Sequence, residues 1–319
     1  MRILNRMLLS AVLLGGMAGW VSAQSTVIVV QGAGGETEFA ADFDQQIKAW
    51  MEVSAKAGAK HIAIGTGSGE GPLTDRDRLQ QALAAEEKAG LAELWLVLVG
   101  HGTFDGREAK MNLRGPDVTA AELADWLKPF QRPLAVLHTT SSSAPFLAKL
   151  SAPGRVVVSA TRSGYEHNYA RFGKFLAEAI VDPKSDLDKD GQISLLESFL
   201  SASHRTTEFY KTESRLATEH ALIDDNGDGL GTPADWFRGV VATKRARDGA
   251  ALDGPRAHQM HLVRSAAEQL LSPEIRARRD RLELQVAELR ARKAKMPEKQ
   301  YFEDLEKLLL ELAALYDGT

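Results

Sequence analysis

Cysteine is absent from all 319 residues. The chain can therefore form no internal disulfide, no cysteine-ligated zinc or iron–sulfur centre and no thiolate nucleophile. Also missing is any Gly-Lys-Ser or Gly-Lys-Thr, which excludes a standard phosphate-binding loop. The run Gly65-Thr66-Gly67-Ser68-Gly69-Glu70-Gly71 puts Glu70 where a dinucleotide fingerprint needs its third glycine, and Pro72 spoils the shifted register. Excess positive charge is lacking too. Lys and Arg number 39 against 43 Asp and Glu, so no nucleic-acid partner is expected.

What is present suits a globular chain, with 44% apolar and 26% charged residues, long enough for one large α/β domain and an appendage. Residues 1–23 read as an export signal: Arg2 and Arg6, an apolar run over 7–17, then Val21-Ser22-Ala23 before Gln24. The run is too short to span a bilayer comfortably. The expectation is an exported protein, periplasmic or extracellular, with no stable membrane anchor once the signal is cleaved.

From residue 24 to 244, short apolar runs alternate with helical spacing. Strands are predicted over 26–30, 61–64, 94–99, 133–138 and 155–159, and helices over 39–57, 79–89 and 144–150. Such alternation predicts an α/β fold, a mostly parallel sheet sandwiched by helices, with active groups at the carboxyl ends of its strands. At one such end lies His101, in Val97-Leu98-Val99-Gly100-His101-Gly102. At the next lies the hydroxyl row Thr139-Thr140-Ser141-Ser142-Ser143. If the two strands are neighbours, Ser141 comes within reach of His101 as nucleophile and base, with Asp105 a candidate to orient the imidazole. Hydroxyl-rich turns also simply cap helices, and His138 reads as a packed histidine.

These residues resemble the caspase and legumain group of cysteine peptidases. There a His-Gly pair ends one strand and a Cys-x-Ser-Gly loop ends the next. The histidine assists the cysteine, and the glycine amide helps hold the oxyanion. The resemblance extends over about 26–230 and looks like a bacterial exported branch of that fold. It implies a three-layer α/β/α sandwich with His101, Gly102 and Ser141 as the catalytic positions. Ser141 stands in the cysteine's place, though a shift of one residue would put Thr140 or Ser142 there, and Ala144 replaces the glycine. A hydroxyl needs a better-oriented base than a thiol does. The expectation is a peptidase-inactive relative, with a Ser141 and His101 hydrolase as the alternative.

A second constellation, Asp186 to Glu197, fits the twelve-residue EF-hand calcium loop. Asp186, Asp188 and Asp190 occupy positions 1, 3 and 5, Gly191 the turn, Gln192 the backbone-carbonyl position, Ser194 position 9 and Glu197 position 12. Helices predicted over 172–180 and 195–202 flank it. Four carboxylates in twelve residues repel one another without a cation, which points to Ca2+ as partner. A poorer copy spans 224–235, with Asp224, Asn226, Asp228 and Asp235 at positions 1, 3, 5 and 12. It also reads as the start of a helix.

Residues 245–255 read as a linker. Helices are then predicted over 256–271, 274–295 and 298–315, the last two forming a hairpin within a helical region 256–319. The apolar stripe Phe302, Leu305, Leu308, Leu309, Leu312 and Leu315 needs cover, which admits a further reading: a non-catalytic scaffold using these helices for self-association or a protein partner. The basic stretch 276–295 reads as a solvated helix face.

Overall fold

A computed structural model describes residues 24–67 and 71–316. The predicted export signal lies outside the described residues. Five parallel strands form the centre of a seven-stranded sheet, numbered in chain order. Across the sheet they run β2 (Lys60–Ile64), β1 (Thr26–Gln31), β3 (Leu94–Val99), β7 (Leu134–His138) and β8 (Arg155–Ser159). Antiparallel β9 (Leu222–Asp224) and β10 (Thr232–Pro233) complete one edge. The inner strands are buried along their whole length because both faces are covered, which is why they read as unbroken apolar runs.

Alternate residues feed two cores. Val27, Val29, Trp95, Val97, Leu137 and Val158 pack against α1 (Thr37–Lys56), α5 (Phe172–Ala179) and α6 (Leu195–Thr212). Ile28, Val30, Leu96, Leu98 and Val136 pack against α2 (Asp75–Ala85), α3 (Ala120–Leu127) and α4 (Ala144–Leu150). Trp50 and Trp95 are fully buried, and truncating either to alanine should cost about 3–5 kcal/mol. The architecture is the three-layer α/β/α sandwich expected from the alternation.

Boundaries moved where polar groups intervene. Helix α2 starts at Asp75 rather than at 79 because Thr74 forms a capping box with Asp77. It stops at Ala85 because the chain turns so that Glu86 meets Thr26, Lys60 and Arg132. The segment after His101 is a small antiparallel sheet of β4 (Gly102–Phe104), β5 (Ala109–Met111) and β6 (Val118–Thr119). A further hairpin pairs β11 (Phe237–Arg238) with β12 (Val241–Ala242).

The C-terminal region is built onto the body. The helix expected over 256–271 is two short ones, α7 (Pro255–Gln259) and α8 (Ala266–Leu270). Between them the Met260 carbonyl accepts the Leu195 N–H at 2.8 Å, and Leu262 enters the core. The linker's end is anchored: Asp253, 2% exposed, accepts from Thr232 Oγ1 at 2.6 Å and from the Asp225 N–H at 3.0 Å. Helices α9 (Pro273–Arg292) and α10 (Glu298–Ala314) form the expected hairpin. Its basic stretch is not simply solvated. Arg279 is clamped between Glu268 and Asp280, and Arg276 donates to the Glu268 and Leu271 carbonyls. Among the described residues no helix is long and apolar enough to cross a membrane.

Candidate functional site

Strands β3 and β7 are neighbours, and Leu98 pairs with His138. His101 and Ser141 therefore leave the sheet at the same level, each three residues beyond that pair. The His101 imidazole sits among Phe39, Phe43 and Tyr169, with ring centroids at 5.2, 5.1 and 6.2 Å. Burial lowers its pKa, opposed by the Gly34 backbone and the Glu36 carboxylate. It is a neutral ring in an aromatic setting.

The hydroxyl opposite is engaged elsewhere. Ser141 Oγ accepts from the Gly102 N–H at 3.1 Å and donates to the Gly102 carbonyl at 3.1 Å. So Ser141 meets the backbone of the His-Gly pair, and the amide assigned by resemblance to the oxyanion is occupied by the serine itself. Gly102 has no room for a side chain there, since a Cβ would lie 2.2 Å from the Ser141 carbonyl oxygen. Asp105 is committed to the β4–β5 turn, where its Oδ1 accepts from the Arg107 and Glu108 N–H groups at 2.8 Å each.

Every other hydroxyl of the row has a different partner. Thr140 Oγ1 lies 3.0 Å from His138 Nδ1. His138 is fully buried against Phe146, and burial pulls its pKa down to about 3, as befits a packed histidine. Ser143 Oγ meets Thr161 Oγ1 at 3.2 Å. Ser142 holds φ at +53° and places its Oγ 3.1 Å from Nδ1 of His167. That contact had no sequence signal, since His167 belongs to a polar loop 25 residues away.

The acidic loops adopt the turns their spacing requires. In 186–197, Lys189 and Gly191 take φ of +64° and +87°. Asp186, Asp188 and Asp190 accept the N–H groups of Gly191, Asp190 and Gln192 at 3.2, 3.2 and 2.9 Å. Oxygens of the three carboxylates lie within 4.8 Å of one another, and Asp186 Oδ1 is buried without a hydrogen-bond partner. Ser194 caps α6, and Glu197 is fully buried, its two oxygens accepting from Leu187 and Ser194. His258 of α7 was not anticipated. Its Nε2 lies 2.9 Å from Asp188 Oδ2, and it can share an ion with Asp188 and Glu197. Gln192 ties the loop to the C-terminal region by accepting the Ser265 N–H at 3.2 Å.

The second loop repeats the pattern. Asp224, Asn226 and Asp228 accept the N–H groups of Gly229, Asp228 and Leu230 at 2.7, 2.8 and 2.9 Å, and Asp228 Oδ2 is buried without a hydrogen-bond partner. Asp235, at the end of the loop, is exposed in a single 3-10 turn. The carboxylate packed against the loop from outside is Asp253. Burial, with Asp225 and Asp224 nearby, pushes its pKa up to about 7, against hydrogen bonds from Thr232 and the Asp225 N–H.

Fold and site together describe an α/β/α protein with a histidine and a hydroxyl row at adjoining strand ends and two acidic turns beyond. Among solved structures the chain is similar to the Drosophila initiator caspase Dronc, with 11% identity and a TM-score of 0.41 over 66% of this chain and 82% of that one. It is similar at the same identity and score to caspase-1 from Spodoptera frugiperda, over 64% and 87%. No family model and no curated protein matches.

Proposed function

We propose that this is an exported calcium-binding protein whose caspase and legumain-like domain does not act as a cysteine peptidase. One observation carries the calcium reading: Asp186 Oδ1 is buried without a partner beside Asp188 and Asp190, their oxygens within 4.8 Å. An ion at that point satisfies the orphaned acceptor and offsets the mutual repulsion of the carboxylates. Asp186, Asp188 and Asp190 would hold it with the Gln192 carbonyl, Ser194 and Glu197, and Asp224, Asn226 and Asp228 would hold a second ion more weakly. Inactivity as a cysteine peptidase follows from the missing thiol, and the hold of Gly102 on Ser141 supports it. Because Asp188 and Gln192 of the loop meet His258 and Ser265, calcium acts as a structural brace between body and C-terminal region.

Thermal melts with calcium and with chelator test this. Calcium at a hundred times its Kd should raise the midpoint by about 4 °C, and the Asp186→Asn, Asp190→Asn double variant should lose the rise. Equal midpoints for the wild type would sink the structural role.

A further inference from the structure

Ser142 is the one serine of the hydroxyl row in the left-handed region, with φ at +53°. A serine held there in a turn between a parallel strand and a helix has the strand–elbow–helix setting of a hydrolase nucleophile. Ser142 meets that description between β7 and α4, and its Oγ lies 3.1 Å from His167 Nδ1, hydrogen-bond distance for a nucleophile and its base. The base is held in place through its neighbour. The Glu166 carbonyl accepts the Ser142 N–H at 2.9 Å, and the Glu166 carboxylate accepts the Arg162 N–H at 3.0 Å and meets His220 Nδ1 at 2.6 Å.

We infer that Ser142 and His167 form a nucleophile and base pair that hydrolyses small carboxylic esters, at a site separate from His101 and Ser141. Ser142 is 1% exposed and His167 is exposed, so the serine excludes a folded polypeptide and a substrate must be small. Beside it, Tyr165 is 68% exposed, with its ring edge-on to Phe104 at 5.2 Å and to His167 at 6.1 Å. That aromatic wall suits an aryl ester. No carboxylate pairs with His167 among the described contacts, and a dyad without a third member suits an ester better than an amide.

In the first step Ser142 Oγ bonds to the ester carbonyl carbon while its proton passes to His167. The carbon–alkoxide bond then breaks, and the alcohol leaves with that proton. Water next attacks the acyl-serine with His167 taking its proton. The serine–acyl bond breaks, the acid departs, and the proton returns to Ser142 Oγ. In elbow sites the N–H of the following residue meets the oxyanion; here that residue is Ser143.

The full chain is incubated with a fluorophosphonate, and the modified residue is located by fragment mass spectrometry. Thermal melts establish that each variant is folded. The inference expects the label on Ser142. His167→Gln should slow labelling by about 100-fold, the scale of general-base assistance. A folded wild type that takes no label, a label on Ser141, or a labelling rate unchanged in His167→Gln would each overturn it. None of these outcomes bears on calcium binding.

Discussion

At the scale of the residue, burial decides what each polar group can do. Ser141 stands where the resemblance places a thiol, but both its hydrogen-bonding roles are met by Gly102. His138 carries a consequence for pH. Burial holds its pKa at about 3, below the ordinary 6.5 that it regains on unfolding. The folded state thus keeps a neutral ring while the unfolded chain takes up a proton. Stability is fully present above pH 6.5 and is lost as pH falls towards 3, at up to about 1.4 kcal/mol per pH unit. Denaturant unfolding between about pH 7 and 4.5 should show a shallower acid loss in His138→Gln than in the wild type by about 1 kcal/mol per unit. Parallel curves for the two proteins would refute this account of His138.

At the scale of the element, what could be read in the sequence was what one local pattern controls. Strands β1, β3, β7 and β8 showed as apolar runs because both their faces are buried. Helices α1, α4, α9 and α10 showed because each repeats its pattern over whole turns. The short strands β4 to β6 and β9 to β12 did not. Two or three residues carry no periodicity, and their pairing partners alone define them. The break between α7 and α8 was hidden for a similar reason, since it exists to let Met260 and Leu262 meet α6 and the core. At the site, His101 and Ser141 were legible as strand ends and the acidic loops as spacings. His167, His258 and Asp253 were not, because they reach Ser142, Asp188 and Asp225 from 25, 70 and 28 residues away.

At the scale of the whole molecule, the C-terminal region divides into a part the body needs and a part it does not. Ala257, Met260 and Leu262 belong to the core beside α6, and the Asp225 carboxylate accepts the Gly254 and Ala257 N–H groups. Helix α10 packs against α9, leaving Phe302, Leu309 and Leu310 exposed. A chain ending at Gly254 should melt far below the full chain, since burying each of Met260 and Leu262 contributes about 1.5–3 kcal/mol. One ending at Met296 should melt close to it. Equal melting of the chain ending at Gly254 and the full chain would refute the division. The same docking brings His258 to Asp188 and Ser265 to Gln192, so the acidic loop 186–197 reports on the joint between body and appendage. Isothermal titration of the metal-stripped full chain with calcium tests the central claim most directly. The account predicts saturable binding at or below about 1 mM, the range of extracellular calcium modules, abolished at the first loop by Asp186→Asn with Asp188→Asn. A folded wild type that binds no calcium in that range would contradict it.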